Sequence, residues 1–148
     1  MKPLYVSATK QDTGKTTIIV GLIEALRDLG YDVGYMKPVG QRYVRFEGLN
    51  VDEDAVLARQ VFSLSDHPAD MSPIAIERGF TEHYIFHRDP QPLQRRIMEP
   101  FDRLRAAHDL LVVEGTGHAG VGSCFDLSNA RVAQLLDAGV VIITDGGI

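Results

Sequence analysis

The chain alternates between short unbroken apolar runs and longer stretches whose apolar residues recur every three or four positions, the pattern of buried strands joined by amphipathic helices. Residues Pro3 to Ala8 form the first run and predict a buried parallel strand. From Lys15 to Leu29 the period becomes helical: Ile18, Leu22, Leu26 and Leu29 share one stripe, Ile19 and Ile23 lie beside it, and Gly30 supplies a stop. Asp32 to Val39 reads as a second strand closed by proline. Strand, helix, strand in this order makes a right-handed crossover and hence a parallel sheet.

The middle of the chain is less regular. Gln41 to Gly48 is polar and aromatic and reads as a loop. Asn50, with Glu53 three residues on, has the spacing of a capping box, and Val51, Ala55, Ala58 and Phe62 follow at helical intervals. Ser63 to Pro92 carries no clear period and predicts loops with at most one short strand. His83 and His87 stand four apart there without a helical face or a third ligand, which argues against a zinc site. Leu93, Ile97, Phe101 and Leu104 then give a helical stripe that Pro100 is expected to kink or restart. Asp109 to Gly115 reads as a fully buried central strand, four apolar residues ending in Glu114; a glycine-rich loop runs from Thr116 to Ser123. A helix capped by Asp126 or Ser128 carries Val132, Leu135 and Leu136, and Gly139 to Thr144 predicts one more buried strand. The final residues, Asp145-Gly146-Gly147-Ile148, resemble the start of a further turn, so truncation of a longer protein is expected.

The length of 148 residues suits one domain, residues 1–148, and the net charge of -5 argues against non-specific binding to nucleic acid or a membrane surface. Cys124 is the only cysteine, so no disulfide within the chain is possible. The most apolar stretches, Ile18 to Leu26 and Gly139 to Ile143, are too short to span a bilayer, and no signal peptide is evident. A cytoplasmic location fits best.

Candidate chemistry gathers where strands end. Leu4 to Thr17 takes an apolar strand through a polar turn into Gly14-Lys15-Thr16 at a helix start, which aims backbone N–H groups at one anionic point. Phosphate is the natural occupant: Lys15 would reach the β- and γ-phosphates, the Thr16 hydroxyl would ligate Mg²⁺, and Thr13, Gly14 and Thr17 would complete the nucleotide-binding loop. The first glycine of the usual loop is replaced by Thr9 or, in a loop one residue longer, Ala8. Lys10 precedes Lys15 by five positions, the spacing of the deviant loop whose extra lysine reaches nucleotide on a partner subunit; a solvated loop lysine would look the same. Lys37 falls at the carboxyl end of a strand, the edge where open α/β sheets bind ligands, although a lysine merely leaving the sheet would too. Glu114 sits where a buried strand delivers its carboxylate to that edge, and would bind Mg²⁺ directly or through water. Asp52, Glu53 and Asp54 suit the positive end of a helix; alternatively one of them is a Mg²⁺ ligand. His118 is a substrate contact or, more plainly, a surface histidine.

Three separated segments together resemble the dethiobiotin synthetases: Ala8 to Thr16, Gly34 to Val39 and Val112 to Gly117, with Asp54-Ala55 and Met71 to Ala75 also similar. The resemblance spans nearly the whole chain and extends to cobyrinate a,c-diamide synthases and to the synthetase-like domain attached to some phosphate acetyltransferases, which the run Lys37 to Tyr43 looks most like. It implies an α/β, three-layer P-loop NTPase fold with a mostly parallel central sheet flanked by helices. It further implies Mg-ATP, with Lys15 and Lys37 holding the transferred phosphate and the substrate and Thr16, Asp54 and Glu114 as the Mg²⁺ ligands; Lys10, on its spacing from Lys15, joins the two lysines as a candidate catalytic residue. The implied chemistry is phosphorylation of a small carboxylic acid or carbamate, followed by attack of a nucleophile on the mixed anhydride. Gln41-Arg42 and Thr116-Gly117-His118 depart from the synthetase pattern, which implies another substrate, or none. A nucleotide-sensing regulatory domain and a partitioning-type ATPase acting as a nucleotide-sandwich dimer are the competing expectations, and Lys10 is the reason to expect a homodimer.

Overall fold

In the computed structural model, residues 1–11, 13–118 and 120–146 are described; Asp12 of the phosphate loop, Ala119 of the glycine-rich loop and the terminal Gly147-Ile148, where a further turn was expected, lie outside them. The first apolar run forms β1 (Leu4–Ala8), followed by α1 (Lys15–Asp28) and β2 (Val33–Met36). The late runs form β7 (Leu110–Glu114) and β8 (Gly139–Ile143), and the four strands make one parallel sheet in the order β2-β7-β1-β8. Between them lie β3 (Val39–Gly40), β4 (Tyr43–Phe46), β5 (Leu49–Asp52) and β6 (Ile74–Ala75). The remaining helices are α2 (Glu53–Val61), α3 (Pro68–Met71), α4 (Phe80–Phe86), α5 (Pro90–Ala107) and α6 (Asn129–Leu135).

Because successive strand side chains point to opposite faces, the unbroken apolar runs serve two cores at once. Tyr5, Met36, Leu111 and Val113 pack on one face with Leu93, Ile97, Phe101 and Leu104 of α5. Val6, Val33, Tyr35 and Val112 pack on the other with Ile19 and Ile23 of α1 and Ala55 and Ala58 of α2. The result is the expected three-layer α/β arrangement with a parallel central sheet.

Several local expectations are corrected. The buried residues of α1 are Ile19 and Ile23, while Ile18 and Leu29 are exposed; the helix turns its narrower pair to the sheet. Of the loop expected over Gln41 to Gly48 only the bend Gln41-Arg42 remains: from Tyr43, β4 and β5 pair antiparallel across a turn in which Glu47 (φ 49°) and Gly48 (φ 80°) are both left-handed, the geometry of a tight hairpin. Asn50 lies in β5, and the cap of α2 is Asp52, whose side chain accepts from the Asp54 N–H at 3.1 Å. The stretch from 63 to 92 holds α3, β6 and α4, and His83 of α4 stacks on His87, the residue that ends the helix, with ring centroids 4.6 Å apart. The helix α5 runs through Pro100 without restarting. Ser128, not Asp126, caps α6. The strand β8 pairs with β1 but is not buried: Val140, Val141 and Ile142 are 52%, 40% and 64% exposed.

At the end of the sheet remote from the phosphate loop, His108 ties three segments together. Its Nε2 lies 3.0 Å from both Asp66 carboxylate oxygens, and its Nδ1 is 3.1 Å from Asp32 Oδ1 as a charge contact out of hydrogen-bond alignment. Gly34 leaves room for the ring, which a Cβ there would strike. Burial lowers the imidazole pKa, but Asp66 and Asp32 outweigh it and the net shift is upward. A folded-state pKa above the ordinary 6.5 means that the stabilisation is complete below that pH and is lost as pH rises through the raised value. His108→Gln should therefore cost roughly 1–3 kcal/mol at pH 6. In urea unfolding the difference from wild type should shrink steadily toward pH 9; a gap constant with pH would refute the ion-pair account.

Candidate nucleotide-binding site

The cavity of about 330 Å³ lies at the carboxyl edge of the sheet, where the parallel strands β1, β2 and β7 end, and the end of β5, from the antiparallel hairpin, adds Asp52 to its wall. Gly14 takes up a left-handed conformation (φ 79°, ψ 18°) as the cap of α1, so the chain turns sharply from loop into helix. No side chain caps that helix start. Its first N–H groups therefore face the cavity with Lys15, Thr16 and Thr17 on its wall.

Four side chains converge on Glu114, which is completely buried. The Thr16 hydroxyl donates to Oε1 at 3.0 Å and the Tyr35 hydroxyl donates to Oε2 at 2.7 Å. The ammonium groups of Lys37 and Lys15 lie 3.6 and 3.9 Å from Oε1. The Val6–Glu114 register and the Gly115 N–H bond to the Val6 carbonyl (2.8 Å) fix the carboxylate beside the phosphate loop. Lys37, 6% exposed, also bonds Asp54 Oδ2 and lies 3.2 Å from Asp52 Oδ1.

Burial pulls the Lys37 pKa down, but Glu114, Asp52 and Asp54 outweigh it and hold the group firmly protonated. Glu114 moves up because burial exceeds the attraction of Lys37, and Asp52 moves up for the same reason. Burial and the nearby Lys37 charge press the Lys15 pKa down, with Glu114 opposing them.

The site residues expected from sequence divide into two groups. Gly14, Lys15, Thr16, Thr17, Lys37, Asp54 and Glu114 all line the one cavity. Thr13 and Lys10 are not on its lining: the Thr13 hydroxyl donates to the Lys10 carbonyl at 3.3 Å, and the exposed Lys10 ammonium pairs with Asp145 at 2.8 Å. His118 is exposed, with Nδ1 accepting from the Gly120 N–H at 3.1 Å, as a surface histidine would be.

Three residues matter more than their sequence context suggested. Asp52, 1% exposed, caps α2, accepts from the Arg42 N–H at 3.3 Å and faces Lys37. Tyr35 reaches Glu114 only because β2 neighbours β7. Asn129 accepts from Tyr5 and from the Thr116 N–H, and donates to the Thr116 and His118 carbonyls, which pins the start of the glycine-rich loop.

Among the described residues no group of three His, Cys, Asp or Glu side chains has metal-holding geometry. The hydroxyl of Thr16 and the carboxylates of Asp54 and Glu114 nonetheless offer only oxygen donors, the set a hard divalent cation takes, with Lys37 now supplying the positive charge between the two acids. The donor chemistry thus fits Mg²⁺.

A family model described as an AAA domain matches residues 2–147, and the chain belongs to that family, dethiobiotin-synthetase-like within it. An ATP-dependent dethiobiotin synthetase of Caldicellulosiruptor saccharolyticus is 26% identical over 122 residues, covering 82% of this chain and 50% of that protein. One from Methanocaldococcus jannaschii is 25% identical over 148 residues, covering 95% and 64%. A cobyric acid synthase of a Ruegeria species is 26% identical over 166 residues, covering 97% of this chain and 34% of that protein. The kinase domain of the Escherichia coli tyrosine kinase ETK superposes with a TM-score of 0.47 at 14% identity, covering 99% and 68%. The chain spans about half the length of the first of these synthetases. Among the described residues no helix is long and apolar enough to cross a membrane.

Proposed function

We propose that this chain binds Mg-ATP at the phosphate loop and activates a small carboxylic acid or carbamate by phosphoryl transfer. The observation that supports this best is the convergence of Lys15, Thr16 and Lys37 on the buried Glu114 within one cavity. Bound Mg-ATP would supply the phosphoryl group and the divalent charge that offsets its oxygens. Lys15 and the N–H groups of α1 hold the terminal phosphates; Thr16, Asp54 and Glu114 hold the metal. Lys37 then exchanges Asp54 for the oxygens of the acid and of the phosphoryl group passing to it. An acid oxygen forms the new bond to the γ-phosphorus as the bond to the β–γ bridging oxygen breaks, and ADP leaves with that electron pair. No protein nucleophile is needed, because positioning and charge neutralisation carry the rate.

The test is acid-dependent ADP release with hydroxylamine as trap: a mixed anhydride should appear as a hydroxamate in proportion to ADP. Nucleotide binding with no acid-dependent turnover across a panel of small acids would replace this reading by a nucleotide-sensing one. The closed Lys37–Asp54 contact is the observation that favours that second reading.

A further inference from the structure

The cavity has a wall that the phosphate machinery does not use. Gln41 and Arg42 follow β3 directly and line the cavity together with Thr116 and Gly117. The backbone of Arg42 is fixed at both ends: its N–H donates to Asp52 Oδ2 at 3.3 Å, and its carbonyl accepts from the Glu53 N–H at 2.8 Å. Its guanidinium is held far less firmly. Nη1 lies 3.4 Å from Glu53 Oε1, with the two side chains 61% and 46% exposed. Such a pair contributes little and breaks readily for a better anion.

The charge count singles out the same residue. Two cations, Lys15 and Lys37, face the three cavity carboxylates Asp52, Asp54 and Glu114, and a divalent cation would complete that set. Arg42 is a third cation on the lining, matched by none of those carboxylates and paired instead with Glu53 outside it. Gln41, its neighbour in the chain, lines the same cavity with its Oε1 3.0 Å from where a Cβ on Gly117 would lie, so a bulkier residue at 117 would crowd the amide. A planar guanidinium and an amide on the same wall suit a carboxylate.

We infer that the acid taken at this site carries a second anionic group at the end remote from Lys37, held by Arg42 with Gln41. Small dicarboxylates are thereby selected over monocarboxylates of the same length. The inference rests on the acid-activation reading above and goes further by assigning the substrate class and the residue that selects it.

The test is calorimetric titration of glutarate and of pentanoate into the 148-residue chain saturated with Mg²⁺ and a non-hydrolysable ATP analogue, in wild type, Arg42→Leu and Arg42→Lys. Glutarate should bind about tenfold or more tightly than pentanoate to wild type, with the ratio falling toward one in Arg42→Leu and partly recovering in Arg42→Lys. Equal binding of the two acids to wild type, or a ratio unchanged by Arg42→Leu, overturns the inference. So does a parallel loss of analogue affinity in Arg42→Leu, which would make Arg42 a phosphate contact. Failure of wild type to bind the analogue removes the acid-activation reading itself, whereas analogue binding without acid preference removes only the role of Arg42.

Discussion

Lys37→Ala should lower the stability of the chain by about 3–5 kcal/mol at pH 8, because it removes the shared cation from carboxylates that cannot reach water. Asp52 and Glu114 are 1% and 0% exposed, and Lys37 is their common neighbour at 3.2 and 3.6 Å. Both acids already titrate above their ordinary values through burial, and loss of Lys37 would raise them further. For an acid raised in the folded state, the stabilisation is complete below the unfolded values, here 3.8 and 4.5, and is lost as pH rises through the folded ones. The deficit of the variant should accordingly be smaller at pH 5 than at pH 8, as read from urea midpoints at the two values. A deficit under about 1 kcal/mol at pH 8 would mean that water reaches the acids once the lysine is gone.

Lys15→Ala should have the opposite profile: a large functional loss with little change in stability. Its ammonium lies 3.9 Å from the nearest carboxylate, and burial already works against its charge, so the folded chain gains little from it. Terminal phosphates would gain a charge-assisted contact from the same group, and its removal should weaken Mg-ATP by roughly a hundredfold. Calorimetry of Mg-ATP and Mg-GTP with both forms checks this. Equal affinity in wild type and variant would dismiss the phosphate loop as the nucleotide site, and with it the roles given to Thr16 and Glu114.

The contrast between the two lysines explains what the sequence could reveal. Lys15 announces itself by what surrounds it in the chain: an apolar strand, Gly14 and a helix start. The chain around Lys37 shows only its place at a strand end, and its catalytic role is implied by the resemblance of Gly34 to Val39 alone; its three carboxylate neighbours come from two other strands and a helix start. The central strands were legible because burial on both faces leaves unbroken apolar runs such as Leu110 to Val113. The hairpin of β4 and β5 was not, since Tyr43, Val44 and Arg45 are all exposed and the apolar face of β4 is only two residues long, Val44 and Phe46. Its signal was the Glu47-Gly48 pair between Phe46 and Leu49, a two-residue turn between pairable strands. Reading that turn would have placed Asn50 in a strand and moved the helix cap to Asp52, and so found the buried acid beside Lys37. The roles of Tyr35 and Asn129 follow from strand order and from the fold of the glycine-rich loop, and no local pattern encodes them.

The strand β8 has a bearing on how the chain behaves in solution. Gly139-Val140-Val141-Ile142-Ile143 combines high strand propensity with no charge and no proline, and its apolar side chains are largely open to water. Among the described residues its backbone pairs on one side only, with β1. Natural sheets guard such margins with lysines, bulges or prolines, and none interrupts these five residues. What this margin would accept is an element offering a strand edge and apolar side chains, and a charged residue introduced at Val141 is the change that would oppose it.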